Sequence, residues 1–179
     1  MSTTTEAVQA VPAGIWKSDP VHSSVGFAVQ HMGVTPFRGT LSRFEAVLAG
    51  DQLVGSAPVD SIQTADENLT AHLLSPEFFD VERHPELRFE STDIRREGDE
   101  LVVDGALTLK GVSRPVELRG TVTGPIDDPY GNHRVGIELE TTIDRTDFGI
   151  DWNAELPGGG QVLANDVQLT ARLELVQEA

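Results

Sequence analysis

Three histidines sit where chemistry could gather. His22 and His31 bracket the apolar run Val25, Phe27 and Val29, and His72 stands shortly before the adjacent aromatics Phe78 and Phe79. Imidazoles in such a group could ligate a transition metal, which would make the chain a small metal-dependent enzyme using His22, His31 and His72. The spacing argues against this. His22 and His31 fall on opposite faces of a regular strand, so one ion could not take both without a bulge. No pair of histidines has the helical spacing of a zinc hydrolase. His31 and His72 read better as hydrogen-bonding groups or as contacts to the head of a ligand. His84, before Pro85, and His133, in a turn, read as structural or solvent-facing.

Asp19, His22 and Ser23 hold the residue types of a hydrolytic triad, but residues so close in sequence rarely reach triad geometry. No Gly-x-Ser-x-Gly elbow occurs, and Gly158-Gly159-Gly160 is followed by Gln161-Val162 rather than Lys and a hydroxyl residue. The expectation is no catalytic residue, no metal, no cofactor and no enzymatic activity.

Composition excludes further classes. The formal net charge is −16, from 29 acidic and 13 basic side chains. Such a surface repels phosphate backbones and anionic headgroups, which disfavours nucleic-acid binding and electrostatic membrane docking. There is no cysteine, so disulfides and thiolate chemistry are absent. No apolar run is long enough to span a bilayer, so an integral membrane protein is not expected. Met1–Ala10 lacks the basic start and apolar centre of a secretory signal, and the expected location is cytoplasmic.

Most of the chain alternates with the two-residue period of strands. Residues 1–13 are polar or small and read as a disordered lead-in, with one domain over residues 14–179. Extended segments are expected at His22–His31, at Phe37–Leu48 with a bulge near Arg43, and at Gly55–Gln63. Ala65–Leu74 has the pattern of a short helix, ended by Pro76. Five more strands follow: Leu87–Arg95, Leu101–Lys110, Pro115–Thr123, His133–Ile143 and Asp166–Gln177. Short connections imply antiparallel neighbours, so about eight strands with one helical excursion form an all-β barrel or sandwich. Periodicity does not separate the two.

The aromatics Phe27, Phe37, Phe44, Phe78, Phe79, Phe89, Phe148 and Trp152 suit a core, and as a set they suit the lining of a cavity. Gly39, Gly105 and Gly120 lie inside strands, where small residues would leave room for a ligand. Asp144-Arg-Thr-Asp-Phe-Gly149 reads first as a strand end with a charged pair and a tight turn. Its alternative reading places Phe148 and Trp152 at the cavity.

Several motifs, in order, resemble the YceI-like family. They are Asp19-Pro-Val-His-Ser-Ser-Val-Gly-Phe27, His31-Met-Gly-Val34, Phe37-Arg-Gly39, Ser61-Ile-Gln-Thr64, His72-Leu73, Phe78-Phe-Asp80, His84-Pro85, Phe89-Glu-Ser-Thr92, Leu107-Thr-Leu-Lys-Gly-Val-Ser-Arg-Pro-Val116 and Asp144–Gly149. The similarity implies a single lipocalin-like antiparallel β-barrel of about eight strands. It also implies non-covalent storage or carriage of a long-chain apolar lipid, an isoprenoid, a prenylated quinone or a fatty-acyl chain. A homodimer is implied by the resemblance alone. The expected cavity residues are Phe27, Val29, His31, Phe37, Phe44, His72, Phe79, Phe89, Leu107, Leu109, Phe148 and Trp152. The helix departs from the family pattern, with Leu69-Thr70 where Arg-Asp is common and Leu74 where Arg is common. A binding module with a filled barrel is the third reading.

Overall fold

Strands with one apolar face must cover that face, and sequential antiparallel pairing through tight turns does so with the shortest connections. The computed structural model, described for residues 9–179, carries this pairing to closure. The strands are β1 (Ile15–Ser18), β2 (Ser24–His31), β3 (Thr35–Leu41), β4 (Glu45–Ala49), β5 (Gln52–Pro58), β6 (Ile62–Gln63), β7 (Glu86–Glu97), β8 (Glu100–Leu109), β9 (Val112–Asp127), β10 (His133–Asp144) and β11 (Leu163–Gln177). One helix, α1 (Glu67–Leu74), lies between β6 and β7. Its N-cap is Asp66, whose carboxylate accepts from the Leu69 amide at 2.9 Å. Among the described residues no helix is long and apolar enough to cross a membrane.

The hydrogen-bonded order is β1-β4-β5-β7-β8-β9-β10-β11-β2-β3-β6, and β1 also pairs with β11. β1 and β2 run one after the other along β11: Trp16 opposes Gln177, and Val29 opposes Val167. β3 with β4, and β5 with β6, are likewise successive halves of interrupted strands. Counted this way, eight antiparallel strands close into a barrel. The pairing of β1 with β11 decides between barrel and sandwich.

The interruptions correct the expected boundaries. Phe37–Leu48 is not one bulged strand but two, parted at Ser42–Phe44, and Gly55–Gln63 is parted by a 3₁₀ turn at Val59–Ser61. One residue ties the two breaks together. Ser61, 1% exposed, accepts on its carbonyl from both the amide and hydroxyl of Ser42, at 2.8 and 2.9 Å. Its own hydroxyl lies 2.7 Å from the Pro58 carbonyl and 2.9 Å from that of Arg43. A buried serine thus shares its one hydroxyl hydrogen between the carbonyls freed where both strands bend.

The first expected strand begins at Ser24, not His22, because the Asp19 carboxylate accepts from the Val21 amide at 2.9 Å and turns the chain there. β1 was not anticipated, being only four residues long. β9 runs well past the expected Pro115–Thr123 at both ends. Residues 1–8 of the expected lead-in lie outside the described residues. Val11, in its remainder, is buried at the end of the barrel where the β4–β5, β7–β8 and β9–β10 turns gather.

Apolar side chains fill both ends differently. At the turn end Trp16, Leu48, Leu101, Val135 and Leu175 are each no more than 2% exposed and form a solid floor. At the other end α1, the segment after it and the 145–162 segment form a second cluster around Ile62, Leu73, Phe78, Phe148 and Ile150. A hollow lies between.

Candidate functional site

Strand alternation builds the walls of this hollow. β2 contributes Val25, Phe27 and Val29, β8 contributes Leu107 and Leu109, and β11 contributes Val167, Leu169, Ala171 and Leu173. Leu73 of α1, with Phe78 and Phe79 beyond it, covers the upper end. Those two aromatics are held by the backbone, the Phe79 amide donating to the Leu73 carbonyl at 2.9 Å and the Phe78 amide to that of Ser75 at 3.0 Å. The cavity measures about 230 Å³, as the space open to the centre of a water-sized sphere. At a water's share of liquid volume, roughly 30 Å³, that is room for about eight waters. The walls are almost wholly apolar, so such waters would find few polar partners, whereas a hydrocarbon chain would lose nothing.

Eight of the expected cavity residues lie on this wall: Phe27, Val29, Phe37, Phe44, Phe79, Phe89, Leu107 and Leu109. The other four do not. His31 ends β2, opposite Leu163 and Thr35 and outside the lining. His72 hydrogen-bonds Glu77 through Nε2, and its ring meets the edges of Phe78 and Trp152 with centroids 4.8 Å away in each case. Trp152 is thereby placed over the top of the cavity cover, not inside it. Phe148, 2% exposed, belongs to the upper core.

The glycines correct another expectation. A Cβ on Gly39 would stand 2.2 Å from Phe27 Cζ, and one on Gly105 would stand 2.4 Å from the Glu90 carbonyl oxygen and 2.6 Å from Phe89 Cζ. The space they leave is taken by two wall aromatics and a backbone carbonyl, and no ligand volume is gained. Gly120 instead permits close approach of β10, since its Cβ would stand 1.7 Å from the Glu138 carbonyl oxygen.

The three histidines do not converge. His22 lies beyond one end of β2 and His31 at the other, roughly 30 Å apart by strand length. His22 belongs to a surface cluster in which its Nδ1 is 3.0 Å from Asp19 Oδ2 and 3.4 Å from Glu174 Oε2. Ligand atoms of Asp19, His22 and Glu174 lie within 4.8 Å of one another. A guanidinium already serves these carboxylates: Arg134 Nη1 is 2.8 Å from Asp19 and 4.0 Å from Glu174, and its Nε is 2.8 Å from Asp128. The His22 hydrogen bond and then the Arg134 one hold Asp19 well below the usual carboxylate range, and Asp19 raises His22 in turn. Ser23 is not aligned with His22. Its hydroxyl accepts from the Glu174 amide at 3.0 Å and lies 3.3 Å from the Glu174 carbonyl, fixing β2 to β11.

Comparison with known proteins bears on this architecture. The sequence signature described as the YceI-like domain matches residues 16–175. The chain belongs to the YceI-like family. Among its relatives, the UPF0312 protein ECA1782 of Pectobacterium atrosepticum is 34% identical, the match covering 88% of this chain and 82% of that one. Protein YceI of Salmonella arizonae is 35% identical over 88% of this chain and 83% of its own. Similar solved structures include BcnA of Burkholderia cenocepacia, with a TM-score of 0.74 at 22% identity over 90% of this chain and 99% of that one. A polyisoprenoid binding domain of Saccharophagus degradans superposes with a TM-score of 0.69 at 11% identity, covering 93% of this chain and 100% of the other.

Polar residues at the edge of this YceI-like cavity, Glu45, Ser56, Arg88 and Thr170, are not buried, whereas the charged Arg145 is. Asp144 caps the 3₁₀ turn Arg145–Phe148, its carboxylate accepting from the Thr146 amide at 2.9 Å and hydroxyl at 2.6 Å, which keeps its pKa low. Gly149, at φ +72°, closes the turn in the left-handed region. The turn carries Arg145 and Phe148 inward together, so the expected charged pair between Asp144 and Arg145 gives way to a cap. Arg145 is 4% exposed and lines the cavity. Its Nε donates to the Ala164 carbonyl at 2.9 Å, and Nη1 donates to those of Ile150 and Trp152 at 2.9 and 2.8 Å. Burial pushes the guanidinium down from its ordinary value, against the pull of Asp144 and Asp151, but an arginine stays charged. Sequence reasoning passed over Arg145 because a charge at a strand end usually faces water.

Proposed function

We propose that this YceI-like barrel holds one long-chain apolar lipid non-covalently, as a store or carrier, with an isoprenoid or prenylated quinone as the favoured class. The observation that carries this reading is the apolar-walled cavity, closed below by a packed floor and covered above by Leu73, Phe78 and Phe79. A relative of the same fold described as a polyisoprenoid binding domain supports the class of lipid. Burial of the chain supplies the affinity. Each methylene is worth about 0.8 kcal/mol, so ten contribute roughly 8 kcal/mol before the costs of association and ordering. Polar contacts, worth about 1 kcal/mol each, set orientation instead.

The test is native mass spectrometry of the purified protein with analysis of its organic extract. A discrete mass increment that matches an extracted long-chain lipid is the expected result. Extracts without lipid, together with long-chain probes that fail to bind at micromolar concentration, would end the carrier reading.

A further inference from the structure

Every polar group placed deep in an apolar wall must find a partner or carry a large desolvation cost. Arg145 meets that demand at two of its three nitrogens. The three carbonyls of Ala164, Ile150 and Trp152 take the single hydrogen of Nε and both hydrogens of Nη1. Nη2, with two more, is buried and has no hydrogen-bond partner among the described residues. The three carbonyls also lock the plane of the guanidinium, so its direction is fixed. Ile150, which supplies one of them, and Leu163, next to Ala164, both line the cavity. Arg145 is thus seated in the cavity wall itself.

Resting on the lipid-carrier reading, we propose that Arg145 is the head-recognition residue of the cavity, and that Nη2 donates to an anionic oxygen, a carboxylate or a phosphate, at the head of the bound chain. The partners Arg145 already has are neutral carbonyls, which orient its charge without cancelling it. An anionic head would supply both the missing acceptor and the compensating charge, and a charge-assisted pair in so dry a place is stronger than a neutral hydrogen bond. An alcohol or a quinone head offers an acceptor but no charge, so within the proposed class Arg145 selects an isoprenoid acid or phosphate over a prenylated quinone. The head therefore lies at the end of the cavity bounded by the 145–163 segment, with the chain running toward the floor.

Three probes of equal chain length test this on the intact protein: hexadecanoate, hexadecyl phosphate and hexadecanol, each competing with a fluorescent long-chain reporter at neutral pH. At least one anionic probe should bind tenfold or more tightly than the alcohol, and the two anionic arms tell a carboxylate site from a phosphate site. In Arg145→Gln the preference for an anionic probe over the alcohol should collapse to within about twofold. Because that variant loses backbone contacts and could fail to fold, a second measurement uses the unaltered protein. The carboxyl carbon of bound ¹³C-labelled hexadecanoate should titrate below its ordinary value if it faces a guanidinium, and above it if it faces only an apolar wall. Equal affinity for all three probes, or a bound carboxyl that titrates unshifted or upward, overturns the assignment of Arg145 and leaves the carrier reading standing. Failure of all three to bind overturns both.

Discussion

Gly39→Ala should narrow the cavity without unfolding the barrel. Gly39 on β3 lies opposite Phe27 of β2, and the atoms nearest to an added Cβ all belong to the Phe27 ring, at 2.2, 2.5 and 3.0 Å. Carbon contacts begin near 3.5 Å, so the ring tip must retreat by about 1.3 Å. Phe27 lines the cavity, and the open side is the cavity. Overpacking of this kind costs about 1–3 kcal/mol, while alanine recovers about 0.5–1 kcal/mol over glycine in a strand. The net loss of stability is then about 0–2.5 kcal/mol, read as a shift of the urea midpoint. Binding suffers separately. A ring moved inward removes contact with one or two methylenes, about 0.8 kcal/mol each, so a long-chain probe should bind roughly four- to fifteenfold more weakly. Phe27→Leu shortens the side chain that collides, so the double variant should regain part of the lost affinity, a coupling that a double-mutant cycle reads directly. Unchanged affinity in Gly39→Ala, or strictly additive effects in the cycle, would show that the ring is not pressed between Gly39 and the cavity.

Three more outcomes are expected. Ser61→Ala leaves the Pro58 and Arg43 carbonyls short of a donor at the two strand breaks, and should cost about 1–3 kcal/mol in urea unfolding; a loss under about 0.5 kcal/mol would mean that water takes over the role. Phe78→Ala removes a side chain 4% exposed between His72 and Trp152, and should cost about 3–5 kcal/mol, with near-unchanged stability refuting its place as the cavity cover. Arg134→Met should lower the urea midpoint between pH 5 and 6 and converge with the parent protein in strong acid. The depressed carboxyls of Asp19 and Asp128 stabilise the fold above their unfolded pKa near 3.9, and that contribution is lost as pH falls through their lower folded values. His22, raised by Asp19, acts with the opposite sign: its contribution is complete below about pH 6.5 and fades as pH rises through its folded value. A gap between the two proteins that persists undiminished into strong acid would count against this cluster.

Legibility in the sequence followed periodicity. Val25, Phe27 and Val29, like Leu107 and Leu109, alternate strictly, and all five line the cavity. The later strands were readable for the same reason, β11 most of all. Where the period lapses, position was lost. Phe148, Trp152 and His72 sit on a 3₁₀ turn, a loop and a helix, whose side-chain directions depend on how those segments fold back. Arg145 was hidden by its type, since only the cap made by Asp144 carries it inward. The break at Ser42–Phe44 did leave a trace, a change of apolar register between Leu41 and Phe44. Closure left almost none: only three residue pairs join β1 to β11, and neither segment names its partner.

That closure gives β11 a disproportionate part in folding. β11 bonds to β10, β1 and β2 at once, and the Ser23–Glu174 contacts within this seam join residues 151 apart in sequence. Until β11 has left the ribosome, β10 and β2 are exposed edges, open to pairing with other chains, and the greasy inner faces beside them stand in water. Such long-range closure is also slow to form. A chain cut short by those fifteen residues keeps most of its strands yet encloses nothing. It is an open apolar sheet, a substrate for chaperones and proteases.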